Sequence, residues 1–354
     1  MTKQVQVQSV AIGGGAPISV QSMTNTDTRD AEATVAQIER LQQAGCDIVR
    51  LAVFDSRAAD AIGTIRQRTT MPLVADVHFD YRLAIAAVEN GVDKLRINPG
   101  NIGSKERVQA VADCCKRHHI PIRLGVNGGS LDKEMQKRYP SDRPKAMVES
   151  ALREVRALEE VGFSDIVLSL KCTDVQETVQ AYQSMAKLVD YPLHIGITET
   201  GPMDKGIIKS SCGIGALLLM GIGDTLRVSL TGDPVDEVRL GKDILRACGF
   251  LKDDVEIVSC PTCGRTRCNV FEAVETVNRG VLHHAGYLKI AVMGCAVNGP
   301  GEARDADIGV AFGDGNGVLF RKGEIVGHGS YEEIWARLIR ESNELLGGVC
   351  SKNC

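Results

Sequence analysis

The sequence is short of aromatic residues, of net charge and of long apolar runs, and each shortage removes a class of function. Phe, Trp and Tyr make up 4% of the 354 residues, and the formal net charge is only −4. Nucleic acid and anionic membrane surfaces are therefore not expected partners. No apolar run approaches the ~20 residues of a membrane span; the best candidate, Ile214–Met220, is far too short. The opening Met1-Thr2-Lys3-Gln4-Val5-Gln6 lacks the apolar core of a signal peptide. Twelve cysteines without such a signal point to free thiols in a reducing cytoplasm, not to a disulfide framework. A dinucleotide fingerprint is also missing, since Gly213-Ile214-Gly215 fits neither that motif nor a phosphate loop. No second Cys-x-x-Cys accompanies the one at Cys260 and Cys263, so a four-ligand structural zinc ribbon is incomplete.

What is present over residues 1–250 is an alternation of short apolar strands and amphipathic helices. The strands read as Pro17–Met23, Asp47–Val53, Pro72–His78, Lys94–Asn98, Pro121–Val126, Asp165–Lys171, Pro192–Thr198 and Asp224–Leu230. Helices fall between them, for example over Asp30–Ala44, Met147–Val161 and Val235–Cys248. Eight βα units in that length predict a TIM (β/α)8 barrel, with a doubly wound sheet as the alternative. The segment Val5–Ile12 reads as a hairpin plugging the barrel floor.

Barrel sites form at the C-terminal ends of the strands, and here those ends are polar. They carry Arg50, Asp76, His78, Arg96, Asn98, Arg123, Asn127, Lys171, Thr198, Glu199, Arg227 and Ser229. Four arginines and a lysine face two acids, Asp76 and Glu199. Unpaired buried guanidinium is costly, so the cluster predicts an anionic ligand, and its planar forks suit phosphate oxygens. Pairing of each arginine with an acid such as Asp47 or Asp224 is the competing explanation. Those acids stand at the opposite ends of the strands.

Residues 251–354 change pattern. Ile257-Val258 enters Ser259-Cys260-Pro261-Thr262-Cys263-Gly264-Arg265. A helix over Val270–His283 and a strand over Leu288–Met293 follow, then Gly294-Cys295-Ala296-Val297-Asn298-Gly299-Pro300-Gly301-Glu302. Ile308–Phe312, Val318–Arg321 and Glu324–Val326 read as strands and Tyr331–Leu346 as a helix, making a small α+β domain. Three cysteines converging on one centre fit an iron–sulfur cluster with one under-ligated iron better than a closed zinc site. Cys268 remains a competing fourth ligand or a core thiol.

Taken together, these stretches resemble the 4-hydroxy-3-methylbut-2-enyl diphosphate synthase family of isoprenoid biosynthesis, essentially end to end. The strongest stretches are Val20-Gln21-Ser22-Met23-Thr24-Asn25-Thr26, Ala75-Asp76-Val77-His78-Phe79-Asp80-Tyr81-Arg82, Leu95-Arg96-Ile97-Asn98-Pro99-Gly100-Asn101-Ile102-Gly103, Gly223-Asp224-Thr225-Leu226-Arg227-Val228-Ser229-Leu230 and the two cysteine segments. The resemblance implies a TIM barrel followed by a ferredoxin-like cluster domain. It implies a [4Fe–4S] cluster on Cys260, Cys263 and Cys295, with the Glu302 carboxylate as fourth ligand. It also implies two-electron reductive opening and dehydration of 2-C-methyl-D-erythritol 2,4-cyclodiphosphate, with reduced flavodoxin or ferredoxin as donor. Within that reading, Glu199 is the expected proton donor and the polar residues of the mouth bind and orient substrate. The last barrel helix should end roughly 20 Å below the mouth, and Leu251–Glu256 spans at most about 20 Å. A homodimer sharing its site in trans is therefore expected. A non-redox hydro-lyase and a zinc-stabilised binding module are the competing functions.

Overall fold

The computed structural model describes residues 1–131, 133–283, 285–295, 301 and 303–347. Glu302, Cys350 and Cys354 lie outside the described residues. The chain divides into two compact units, Met1–Phe250 and Leu251–Cys354.

In the first unit, a hairpin of β1 (Val5–Val7) and β2 (Val10–Ile12) precedes eight parallel strands. These are β3 (Ser19–Met23), β4 (Ile48–Ala52), β5 (Leu73–Asp76), β6 (Lys94–Ile97), β7 (Ile122–Asn127), β8 (Ile166–Lys171), β9 (His194–Ile195) and β10 (Thr225–Leu226). Their order is β8-β7-β6-β5-β4-β3-β10-β9, and a parallel bridge between Leu168 and Leu193 joins the two ends. The result is the expected barrel. Aspartates set several of its helix starts: Asp30, Asp55, Asp142 and Asp174 each accept a hydrogen bond from a first-turn backbone N–H, about 1 kcal/mol apiece.

Side chains alternate along a strand, so each barrel strand sends one set of residues to the helices and the other inside. The outward set is fully buried aliphatic, as at Val49, Leu51, Leu95 and Ile97. The inward set is polar near the C-terminal ends. At the other end, Val7 and Ile12 of the hairpin pack in one buried cluster with Ile48 and Val74, which seals the floor. The chain start is fastened there too, by Thr2 Oγ1 donating to Asp224 at 2.6 Å.

The second unit is a five-stranded mixed sheet in sequential order, β11 (Val255–Ser259), β12 (Leu288–Met293), β13 (Ile308–Phe312), β14 (Gly317–Arg321) and β15 (Glu324–Gly329). The β11–β12 and β12–β13 pairs are parallel, and the remaining two pairs are antiparallel. Helices Val270–Gly280 and Tyr331–Leu345 cover one face, burying Val277, Ile290, Val310, Phe312, Ile334 and Leu338 in one core. The first of these helices stops at Gly280, short of the expected His283. Beyond it, His283 sits in a turn, its Nε2 lying 2.8 Å from the Asn278 carbonyl oxygen and its Nδ1 3.0 Å from Asp254.

Candidate active site

The C-terminal ends of the barrel strands enclose a basin of about 220 Å³. Its lining includes Arg50, Asp76, His78, Arg96, Arg123, Asn127, Lys171, Thr198, Arg227 and Ser229, together with Gly125 and Ser169. The structure thus brings together all but two of the barrel residues expected at the site. Asn98 is one of the two. Its side chain accepts a hydrogen bond from Gly100 N at 2.9 Å and caps the short helix Pro99–Ile102. Glu199 is the other. It is exposed on the loop after β9, in a left-handed conformation with φ 52°, and does not line the basin.

Two acids do stand among the cations, and one of them was not expected. Asp76, only 6% exposed, lies 3.1 Å from Arg96, 3.6 Å from Arg50 and 3.6 Å from His78. Burial pushes its carboxyl up. Arg50, Arg96 and Arg123 outweigh that and hold its pKa below the usual range. The second acid is Glu237, which comes from helix Pro234–Ala247 and pairs with Arg227 at 3.2 Å. It also accepts hydrogen bonds from Leu230 N at 3.0 Å and Ser22 Oγ at 3.3 Å. Asp47 and Asp224, the competing partners, are occupied at the floor by Lys242 and by Thr2.

Arg123 and Lys171 have no acid in contact among the described residues. Arg123 is 2% exposed and leaves Nε and Nη1 without a hydrogen-bond partner. Burial, followed by repulsion from Arg50 and Arg96, lowers its pKa. Lys171 is lowered well below the ordinary lysine value by burial and then by Arg123, Arg227 and Arg50. Arg50 is lowered to about 10 by burial, opposed by Asp76. Five cations against Asp76 and Glu237 leave a surplus of three positive charges when all are ionised. Gly196 makes room for the lysine: a Cβ there would sit 2.7 Å from Lys171 Nζ and 2.3 Å from the Arg227 carbonyl oxygen.

Below the basin the core remains polar. Lys94, on the same face of β6 as Arg96, is fully buried with no partner for Nζ among the described residues. Gln21 and His194 Nε2 are likewise without partners. Period-two alternation from Arg96 was a signal that could have found Lys94. Glu237 had none, because an acid on an amphipathic helix reads as a solvent-facing residue.

In the second unit, the adjacent parallel strands β11 and β12 deliver Cys260 and Cys295 to the same end of the sheet. Gly294 N donates to Cys260 Sγ at 3.2 Å, and Arg267 N donates to the Gly294 carbonyl oxygen at 2.8 Å, tying the two loops together. A Cβ at Gly294 would lie 2.7 Å from Val270 and 2.9 Å from Thr266, so only glycine fits. Cys263 is exposed. The backbone N–H of Arg265 holds its thiol below the usual pKa. Cys268 is half-buried, and burial, then proximity to Cys260, pushes its thiol up. Among the described residues no three His, Cys, Asp or Glu side chains are gathered as a ready single-ion site. Of the isolated cysteines read as packing thiols, Cys46 and Cys172 are buried and Cys248 half-buried, whereas Cys212 is exposed.

Comparison with known proteins gives the family of the chain. The GcpE TIM-barrel domain matches residues 2–242 and the GcpE protein C-terminal domain residues 256–344. A protein of Caldanaerobacter subterraneus subsp. tengcongensis is 55% identical over 98% of this chain and 98% of its own length. One of Clostridium perfringens is 53% identical over 96% of this chain and 97% of its own. Both are named 4-hydroxy-3-methylbut-2-en-1-yl diphosphate synthase (flavodoxin). In fold alone, the chain is similar to dihydropteroate synthase of Yersinia pestis in a sulfonamide complex. The TM-score is 0.51 at 10% identity, over 70% of this chain and 98% of that one. With both of its units matched and relatives more than half identical along nearly all its length, the chain belongs to the GcpE family of 4-hydroxy-3-methylbut-2-en-1-yl diphosphate synthases.

Proposed function

We propose that the chain carries out the two-electron reductive ring opening and dehydration of 2-C-methyl-D-erythritol 2,4-cyclodiphosphate, giving 4-hydroxy-3-methylbut-2-enyl diphosphate. Reduced flavodoxin is the electron donor, as the relatives' name says of them. The observation that carries this reading is the surplus of buried basic groups in the basin: among the described residues, Arg123 and Lys171 have no acid in contact. An anion bound beside such groups restores their charged forms at low cost.

Opening the ring converts an internal phosphodiester into a terminal phosphate, so one more anionic oxygen develops as the C–O bond breaks. Cations poised near that oxygen favour the opened state over the closed one. In this assignment Arg50, Arg96, Arg123, Lys171 and Arg227 hold the diphosphate, while Asp76 fixes the orientation of Arg50 and Arg96. His78, Asn127, Thr198 and Ser229 position the sugar-derived hydroxyls, and Asn98 shapes the loop above them. One hydroxyl leaves as water and needs a proton, which we assign to Glu199 on the loop beside Thr198.

Residues 1–250 are thus the diphosphate-binding domain and residues 251–354 the cluster domain. Cys260, Cys263 and Cys295 would hold a [4Fe–4S] cluster, with Glu302 as the fourth ligand. The donor set supports it: a thiol accepting a backbone N–H at Cys260, and a glycine at 294 that a side chain would displace. When bound, such a cluster would supply single-electron transfer and a Lewis-acidic iron. The tether length supports a homodimer whose chains share each site. No helix among the described residues is long and apolar enough to cross a membrane, which suits a cytoplasmic enzyme.

The test is anaerobic purification followed by iron and sulfide analysis and an assay with the cyclic diphosphate and reduced flavodoxin. Four irons and sulfides per chain with formation of the linear diphosphate are expected. A colourless zinc protein, or turnover without any reductant, would overturn the reading.

A further inference from the structure

Beside the basin lies a second cavity of about 290 Å³ with a different character. Its walls are mainly Val53, Phe54, Phe79 and Leu83, and it meets the basin at Asp76 and His78, which line both. Two of its rings are strongly exposed, Phe79 at 73% and Phe54 at 53%. Phe54 is held in place: the Arg29 guanidinium lies 4.8 Å from its ring centroid and is itself fixed by Asp27 at 2.5 Å and Asp55 at 3.3 Å. The Phe79 ring stands 5.9 Å from that of His78. The mouth is therefore polar on one side and apolar on the other.

Barrel order fixes how the two halves face each other. The notch opens at the ends of β4 and β5, whereas Arg123 and Lys171 belong to β7 and β8. Strands β4 and β8 stand four places apart in the ring of eight, that is, across the mouth. Arg50 and Arg96, nearer the notch, are already paired with Asp76. The two basic groups with no acid in contact among the described residues, Arg123 and Lys171, thus stand two to four strands away from the notch. A diphosphate anchored there leaves the adjoining notch open to the rest of an ester.

We propose that this notch is the subsite for the branched hydrocarbon portion of a diphosphate ester, and that it makes the site selective for alkyl diphosphates over inorganic diphosphate. The inference rests on the proposal that the basin takes a diphosphate. Phe79, Phe54 and Leu83 are then specificity-determining residues. Buried methylenes gain affinity from water exclusion, by roughly fourfold each when fully covered.

The experiment is calorimetric titration of the anaerobic holoenzyme with inorganic, methyl and 3-methylbutyl diphosphates. These ligands are saturated and cannot react. Wild-type affinity should rise with each added carbon. Phe79→Ser and Phe54→Ser, both at exposed positions, should each weaken 3-methylbutyl diphosphate roughly tenfold and leave inorganic diphosphate within about twofold. A wild type indifferent to chain length, or variants that weaken all three ligands equally, overturns the subsite while the basin stands. Failure of inorganic diphosphate to bind the wild type overturns the basin and the subsite with it. Variants that lose turnover but keep the full chain-length gain assign the two rings to contact with another protein, and also overturn it.

Discussion

Glu237 reaches from a barrel helix to Arg227 at 3.2 Å, with 5% of its own side chain exposed. This pair turns one of the five mouth cations into a fixed part of the wall. Replacing Glu237 with Gln keeps an acceptor for Leu230 N and replaces the oxygen facing Ser22 Oγ with an NH2 that can donate to that hydroxyl, but strands the guanidinium. Stability should fall by about 3 kcal/mol, read from denaturant midpoints. Inorganic diphosphate should raise the melting temperature of the variant more than that of the wild type, because an anion then substitutes for the missing carboxylate. Equal shifts would show that Arg227 does not face the ligand.

Lys171 is the reverse case, a buried basic group with no acid in contact among the described residues. Lys171→Met should leave stability within about 1 kcal/mol of wild type or raise it. Diphosphate affinity should fall roughly tenfold or more as a charged hydrogen bond disappears. A variant that is strongly destabilised and binds normally would contradict this assignment.

Lys94 gives a pH signature. Burial, then repulsion from Arg123 and Arg50, puts its folded pKa well below that of a free lysine. Between that lowered value and the ordinary value of about 10.4, the unfolded chain binds a proton that the folded chain does not. Folding stability should therefore rise with pH across that interval. Lys94→Met should make the rise shallower, leaving the share that Lys171 contributes in the same direction, measured as urea midpoints at a series of alkaline pH values. An unchanged slope would mean that Lys94 is protonated in the folded protein.

Glu199 holds φ 52°, a conformation disfavoured for any residue with a Cβ. Glu199→Gly should stabilise the chain by about 1 kcal/mol and abolish most turnover. Glu199→Gln, which keeps the backbone cost, should lower turnover by roughly 10²- to 10⁴-fold if the carboxyl gives the proton. Full activity in the Gln variant would remove Glu199 from that role.

Gly294→Ala inserts a methyl 2.7 Å from Val270 and moves the N–H off Cys260 Sγ. The cost should be about 1–3 kcal/mol, with iron per chain reduced. Wild-type iron content in the variant would show that this N–H···S contact does not matter to the metal centre.

Much of this was legible in the residues. The run Leu288–Met293 forms a strand with those very ends because an apolar stretch broken only by the half-buried Lys289, lying between polar turns, is buried best in a sheet. The mouth arginines could be located because alternation and barrel polarity together fix where a strand's last inward residue lies. The last two barrel strands could not. His194–Ile195 and Thr225–Leu226 are far shorter than their apolar patterns suggest. Gly196, at φ 156° and against the Arg227 carbonyl, is where the regular ladder gives way to make room for Lys171. Glu237 was hidden for a related reason: its role depends on which turn of a helix passes behind Arg227, a three-dimensional fact with no local signature. The apolar notch escaped because Phe54 and Phe79 look like ordinary core residues until their exposure is seen.

The sealed floor has a consequence for traffic. With Val7 and Ile12 wedged against Ile48 and Val74, whatever enters the barrel must leave by the door it came in through. Product and incoming substrate cannot pass one another, so anything that shuts that door for the chemistry has to swing away once in every cycle.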